Sequence, residues 1–374
     1  MMGVLWRTAK AVVVAAALAA GARAGASVQV EPIARLSLEG GYDSNVLYDG
    51  RGYGTGRVSP DLGVHLRDHT YSLLLSAGGD LLTFPERQTS STVWNQRGAM
   101  LLKAHLTDRL TLDTDAKGIY AFDPIGLARI GIFRGPEKGA AFVGGLKARL
   151  AWREDHQWTF TGTLEEHAVR FADTTGAASH TPGVEVTRKL DRRLEVGGAY
   201  KFDVFQQFGP GTRQAYANEA LAVMRWRWTR RLTFEAAGGG AVWQRDTTYV
   251  IPQASLQLLG LWRRGDLRLE LRHGVGLGVT ATPGLFDSVE GGATLRLTAS
   301  WEVHAEGGLW RSGNPPWGSD AALGYGIEGE VAYRFTRQLR LGLAGSRFAR
   351  ADGASTLFDR NLVGLRMSWE LRHR

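Results

Sequence analysis

The chain has 374 residues, with 49 glycines, 12 tryptophans and no cysteine. Its mean hydropathy of −0.18 is that of a soluble protein. Beyond the N-terminus no apolar run approaches the ~20 residues a spanning helix needs, so a helical membrane protein is excluded. A β-barrel is not, because half of each of its strands faces water and dilutes the average. Absence of cysteine rules out a disulfide framework and thiolate metal sites. The formal net charge of +8 is dispersed and not massed in one block, which argues against nucleic acid.

Residues 1–26 read as a signal peptide. Arg7 and Lys10 are its basic start, Ala11 to Ala20 its apolar core, and Ala24-Gly25-Ala26 offers small residues for cleavage after Ala26. Residues 27–374 then form one outer-membrane β-barrel. In the first strand Leu36, Leu38, Gly40 and Tyr42 alternate with Arg35, Ser37, Glu39 and Asp43, a period of two with two environments. Further along, Leu110 and Leu112 oppose Asp113 and Asp115, and Tyr200 and Phe202 oppose Lys201 and Asp203.

The unit is most legible from Glu219 to Ala241. Ala220, Ala222, Met224, Trp226 and Trp228 share one side, while Glu219, Arg225 and Arg227 share the other. After a very short turn the pattern restarts, with Leu232 and Phe234 against Glu235. Tryptophans on the apolar face beside the turn are what a lipid-facing strand places at headgroup level. Trp152, Trp262, Trp301 and Trp369 occupy equivalent places. The alternation continues through Leu267, Leu269 and Leu271 against Arg268, Glu270 and Arg272, and through Tyr325, Ile327, Val331 and Tyr333 against Glu328, Glu330 and Arg334. Its last instance sets Val363, Leu365, Met367 and Trp369 against Arg366, Ser368 and Glu370.

Short charged turns recur at 67–69, 107–109, 153–156, 190–193, 229–231, 263–266, 298–300 and 336–338, several sharing the wording LTDRL, LDRRL, WTRRL and FTRQL. Longer connections rich in Gly, Pro, Asp and Ser fall near 46–56, 85–91, 123–136, 172–180, 208–213, 246–249, 281–287, 312–322 and 350–358. Short turns on one side and long loops on the other predict an all-β, antiparallel, up-and-down transmembrane barrel of about 18 strands, with 16 next, short turns in the periplasm. A soluble sandwich would reverse the faces. The interfacial tryptophans, the export signal and the strand number oppose that.

In a barrel of this size the charged faces line a wet lumen. The candidate lining comprises Arg35, Glu39, Asp43, Arg97, Asp113, Asp115, Glu165, His167, Lys201 and Asp203, then Glu219, Arg225, Arg227, Glu235, Arg268, Glu270 and Arg272, and finally Glu302, His304, Glu306, Glu328, Glu330, Arg334 and Arg366. Both signs are closely mixed, which does not select ions by charge. The bland reading is a solvated wall whose cross-strand pairs fix register; the functional one is a lining along which hydrated cargo slides. No loop is long enough to plug the bore, the longest reading DPIGLARIGIFRG from Asp123. A wide open hole would breach the membrane, so the expectation is closure by a partner, closure by loop collapse, or an open pore tolerated because the protein is scarce.

The segment GYDSNVLYDG, Gly41 to Gly50, ends the first strand. With the hairpin plan it resembles the outer-membrane barrels of exopolysaccharide systems, the "porin 2-like" group, and the barrels of about eighteen strands in myxobacterial-type polysaccharide export. That resemblance implies a secretion pore for a long polysaccharide, working with a periplasmic polysaccharide-export protein. The chain departs from many barrels at its end, where Trp369 is followed by Glu-Leu-Arg-His-Arg. Read structurally, Asp43 and Asn45 make an Asx turn. A diffusion porin for small solutes is the alternative. An outer-membrane lipid- or sugar-modifying enzyme is a third class, resting on His167 with Glu165 and on His304 with Glu302 and Glu306, which mixed lumen charge explains more simply. No Gly-x-Ser-x-Gly, zinc-binding His motif or phosphate loop is present, so neither catalysis, metal nor cofactor is expected. Expected partners are outer-membrane lipids, the polysaccharide and the export protein.

Overall fold

The structure, a computed structural model, describes residues 28–45, 51–84, 92–122, 140–173, 175–209, 213–278, 282–314, 321–352 and 355–372. Its first nine strands are β1 (Gln29–Asp43), β2 (Tyr53–Arg67), β3 (Tyr71–Thr83), β4 (Thr92–His105), β5 (Leu110–Ala121), β6 (Ala141–Arg153), β7 (Trp158–Phe171), β8 (Gly176–Lys189) and β9 (Leu194–Phe208). The other nine are β10 (Arg213–Arg227), β11 (Leu232–Gln244), β12 (Thr248–Trp262), β13 (Gly265–Leu277), β14 (Pro283–Arg296), β15 (Trp301–Gly313), β16 (Ala322–Arg334), β17 (Leu339–Asp352) and β18 (Ser355–Arg372). Each pairs antiparallel with its neighbours in the chain, and β1 pairs with β18, so the eighteen-stranded sheet closes on itself. Closure removes the free edges that lipid would leave unsatisfied.

The repeated wording of the short turns has a hydrogen-bonding cause. In five of the eight, a Thr or Asp side chain accepts N–H groups two and three residues on. Thr107 Oγ1 takes those of Arg109 and Leu110 at 3.2 and 3.0 Å, and Thr298 Oγ1 those of Ser300 and Trp301 at 3.2 and 3.0 Å. Asp191 holds Arg193 and Leu194, and Thr336 holds Gln338 and Leu339. These turns join every second pair of strands, and register then follows from the turn geometry.

At the opposite end several strands run further than their composition suggests. Residues 176–180, 283–287 and 355–358, read from sequence as loop, belong to β8, β14 and β18. β8 opens with Gly176, Ala177, Ala178 and Ser179, all buried, and β14 with Pro283 and Gly284. Small residues and Pro at a strand's first position have weak strand propensity and look like loop, yet pair where a neighbouring edge is waiting.

The wall is not a plain cylinder. β13 pairs with β12 only as far as Ala254↔His273, whereas β13 and β14 stay paired to Leu277↔Pro283. Beyond His273 the sheet opens between β12 and β13, and the β13–β14 hairpin, still paired to β15 as far as Leu285↔Gly313, turns into the bore, where β13 approaches β8 and β14 approaches β9, strands that are not its neighbours in the sheet. Lower on these strands the odd-numbered face of β13 carries Leu267, Leu269 and Leu271 outward. On the hairpin the same face presents Val275 and Leu285 to the inner side of β9–β12, joining Phe205, Ala215, Ala217, Ala241, Trp243 and Ile251 in one buried cluster. The expectation of an unobstructed bore is therefore corrected. Among the described residues the constriction is built by strands; the longest connection, from Asp123, lies outside them.

Candidate functional site: the lumen

The ladders place the two faces unambiguously. Arg35 pairs with Asp61 on β2, Glu219 with Lys201 on β9, and Glu306 with Glu328 on β16. Followed round the sheet, every candidate lining residue falls on this one face. Leu62, Val184, Ile327, Val363 and Leu365, on the other face, are more than half exposed. The charged face is the concave one, because the β13–β14 hairpin reaches across the bore to β8 and β9 and packs on that face at Phe205, Trp243 and Ile251.

Four arginines organise this face. Arg97 on β4 binds Asp61 on β2 at 2.6 Å and Asp80 on β3 at 2.7 Å. Arg225 on β10 meets Glu185 on β8 at 2.7 Å, Glu195 on β9 at 3.5 Å and Glu235 on β11 at 3.7 Å. Arg340 on β17 contacts Glu302 and Glu330 at 2.8 and 2.6 Å. Arg366 on β18 contacts Glu39, Glu328 and Glu330 at 3.0, 3.5 and 2.8 Å. Elsewhere Lys147 pairs with Glu165, Arg268 with Glu270, and Arg334 with Glu302. Asp113 and Asp115 stand opposite Arg149 and Lys147. Asp61, Asp80, Glu185 and Arg340 were not singled out from sequence, although each occupies the charged position of its strand's alternation.

Five of the candidates share the face but are not wetted lining: Asp43, Asp203, Glu219, Glu328 and Glu330 are buried. Glu330 and Glu328 lie under the arginines just named. Asp203 accepts a hydrogen bond from Thr181 Oγ1 at 2.6 Å. Arg272, on the stem of the in-turned hairpin, donates to Val275 O at 3.4 Å. Apolar residues complete the same face towards the long-loop end. Trp243 is 1% exposed, and Trp310, Phe348, Leu82 and Phe84 are also buried.

Asp43 explains the GYDSN run. Its carboxylate is fully buried and takes Arg360 Nε on β18 at 2.9 Å. Its Oδ1 also accepts the Asn45 N–H at 3.0 Å, the Asx turn expected from sequence. Ser44 N–H donates to Asn361 O at 2.9 Å, Ser44 Oγ accepts Asn361 N–H at 2.9 Å, and Asn45 Nδ2 donates to Asp359 O at 2.9 Å. A Cβ on Gly41 would stand 2.3 Å from Val363 O, so only glycine fits there. Residues 41–45 thus clasp β1 to β18, the seam that closes the barrel; residues 46–50 of the motif lie outside the described residues.

His304 sits between Glu306, 3.5 Å from its Nε2, and Thr294 Oγ1, 3.3 Å from its Nδ1. The ladders on both sides of β14 commit the backbone N–H groups around Thr294. Among the described residues no three His, Asp or Glu side chains are grouped as a metal site.

On the outer face Trp152, Trp226, Trp228, Trp262, Trp301 and Trp369 are all exposed at the short-turn end. They form local stacks, Trp226 with Trp228 at 6.0 Å and Trp152 with Phe160 at 5.4 Å. At the other end Tyr42, Trp94, Tyr120 and Phe122 are exposed. An apolar belt between two aromatic girdles on a closed sheet is the transmembrane barrel of the bacterial outer membrane.

The sequence matches no protein-family model and no curated protein. In fold it is similar to OpdQ of Pseudomonas aeruginosa, at 9% identity over 93% of this chain and 98% of that one, TM-score 0.45. It is similar also to a BenF-like porin of Pseudomonas fluorescens Pf-5, at 10% identity over 92% and 99%, TM-score 0.46. The FrpB iron transporter of Neisseria meningitidis aligns at 10% identity over 92% of this chain and 81% of its own, TM-score 0.46.

Proposed function

We propose that this barrel is an outer-membrane conduit through which a polysaccharide leaves the cell, acting with a periplasmic polysaccharide-export protein and seated among outer-membrane lipids. The observation that carries the reading is the pairing of charge within the wall. Arg97, Arg225, Arg340 and Arg366 each face two or three carboxylates, so much of the wall offers hydrogen-bonding surface without a strong field of one sign. A hydroxyl-rich chain slides along such a wall without being held. The likeness of GYDSN and of the hairpin plan to exopolysaccharide barrels points the same way, and the in-turned hairpin limits what an idle conduit would leak.

Deleting the gene and staining for surface polysaccharide tests the reading. Loss of polymer from the surface with intact intracellular synthesis is expected. Normal surface polysaccharide, together with a steady conductance of the purified barrel for small sugars and salts, would identify a diffusion porin instead.

A further inference from the structure

We infer that the polymer is acidic, and that the periplasmic mouth between β6 and β11 is the place where its carboxylate or phosphate groups are first gathered. This rests on the export reading above. A cavity of about 440 Å³ opens there, walled by the lumen-facing ends of β7, β9, β10 and β11 and by the turns that follow β6 and β8.

Its charge differs from that of the wall around Arg97, Arg340 and Arg366, where each cation faces carboxylates. Arg153, Lys189, Arg192, Arg193 and Arg227 line it, all are exposed, and none has an ion-pair partner among the described residues. Three acids share the lining and are already engaged. Glu195 and Glu235 face Arg225, and the Asp191 carboxylate accepts the backbone N–H groups of Arg193 and Leu194. What remains is a concave cluster of free cations on the side from which cargo must enter. Low-dielectric walls around one sign of charge focus the field and raise the local concentration of the opposite sign. Arginine forks match carboxylate and phosphate oxygens in pairs.

The concavity faces the bore, whereas the lipid-facing side at this level is Trp226 and Trp228, which is why the cargo and not a lipid headgroup or a partner's surface is the occupant argued for. Away from this cluster Arg97, Arg340 and Arg366 are paired, so an acidic chain is collected at the entrance and released along a wall that does not hold it.

The test is fluorescence anisotropy of labelled polygalacturonate oligomers, with dextran oligomers of equal length as the neutral probe, on the full barrel in a non-ionic detergent. The expected result is binding of polygalacturonate and not of dextran, weakened about tenfold by the K189Q/R192Q/R193Q/R227Q variant and screened by added salt. Heat-modifiable gel migration establishes that the variant is folded. A single R227Q substitution, expected to give a smaller loss in the same direction, serves should the quadruple variant not fold. Equal affinity for the two probes, or no loss in either variant, overturns the inference and leaves the export reading standing. So does a variant that binds polygalacturonate normally but loses affinity for phosphatidylglycerol vesicles, which would assign the cations to lipid. Failure of the export reading itself shows separately, as unchanged surface polysaccharide in the deletion strain.

Discussion

The pair Asp43–Arg360 shows what single residues contribute here. Two opposite charges shut away from solvent are stable only together, since each alone would be buried without compensation. Asp43→Asn or Arg360→Met is expected to cost about 3–5 kcal/mol, read by urea unfolding of the refolded barrel, while joint replacement by apolar residues recovers much of it. Equal losses in the single and double variants would show that the clasp owes its strength to Ser44 and Asn45. At the short turns the Asp191 carboxylate lies below the ordinary aspartate range because the N–H groups of Arg193 and Leu194 favour its charged form. A depressed folded value means that the stabilisation is fully present above the unfolded value of about 3.9 and fades as pH falls through the folded one. The stability difference between wild type and Asp191→Ala should therefore be constant from neutral pH down to about pH 4 and shrink below it. A difference that persists undiminished in strong acid would exclude the carboxylate as its source.

Among the elements, the β13–β14 hairpin departs furthest from what alternation implies. Val275 and Leu285 continue the spacing of Leu269, Leu271 and Val289 and read as lipid-facing, so nothing in β13 or β14 alone reveals the bend. The signal lies on the facing strands. Phe205, Trp243 and Ile251 occupy charged-face positions of β9, β11 and β12, with small Ala215 and Ala217 between them, and large apolar groups on a wet face require something to cover them. Leu285→Ala should remove about 2–4 kcal/mol of the packing that holds the hairpin inside, and single-channel conductance in planar bilayers should rise. Unchanged conductance would mean that the hairpin does not limit the bore. The strand pattern, the turn positions and the tryptophan belt were legible because each depends on residues within one hairpin. The seam was not: Asp43 and Arg360 lie 317 positions apart, and no local pattern links them.

For the whole molecule, the essential physical fact is that one face of a closed sheet lies in lipid and the other in water. Composition conceals it, since alternating faces average to a soluble protein's hydropathy, and period two exposes it. The size of the barrel was likewise readable, because each short turn marks one hairpin. Which charges neutralise one another was not, since Arg225 draws carboxylates from β8, β9 and β11 and their convergence depends on curvature. The natural chain has no cysteine, so single cysteines can be introduced along β13 without background. The most direct measurement is labelling of L267C, R268C, L269C and E270C in proteoliposomes with a membrane-impermeant maleimide and with a lipid-phase reagent. The impermeant reagent should label R268C and E270C, and the lipid-phase reagent L267C and L269C. Labelling of all four by one reagent, or the reversed pattern, would contradict a lipid-embedded barrel with a polar bore.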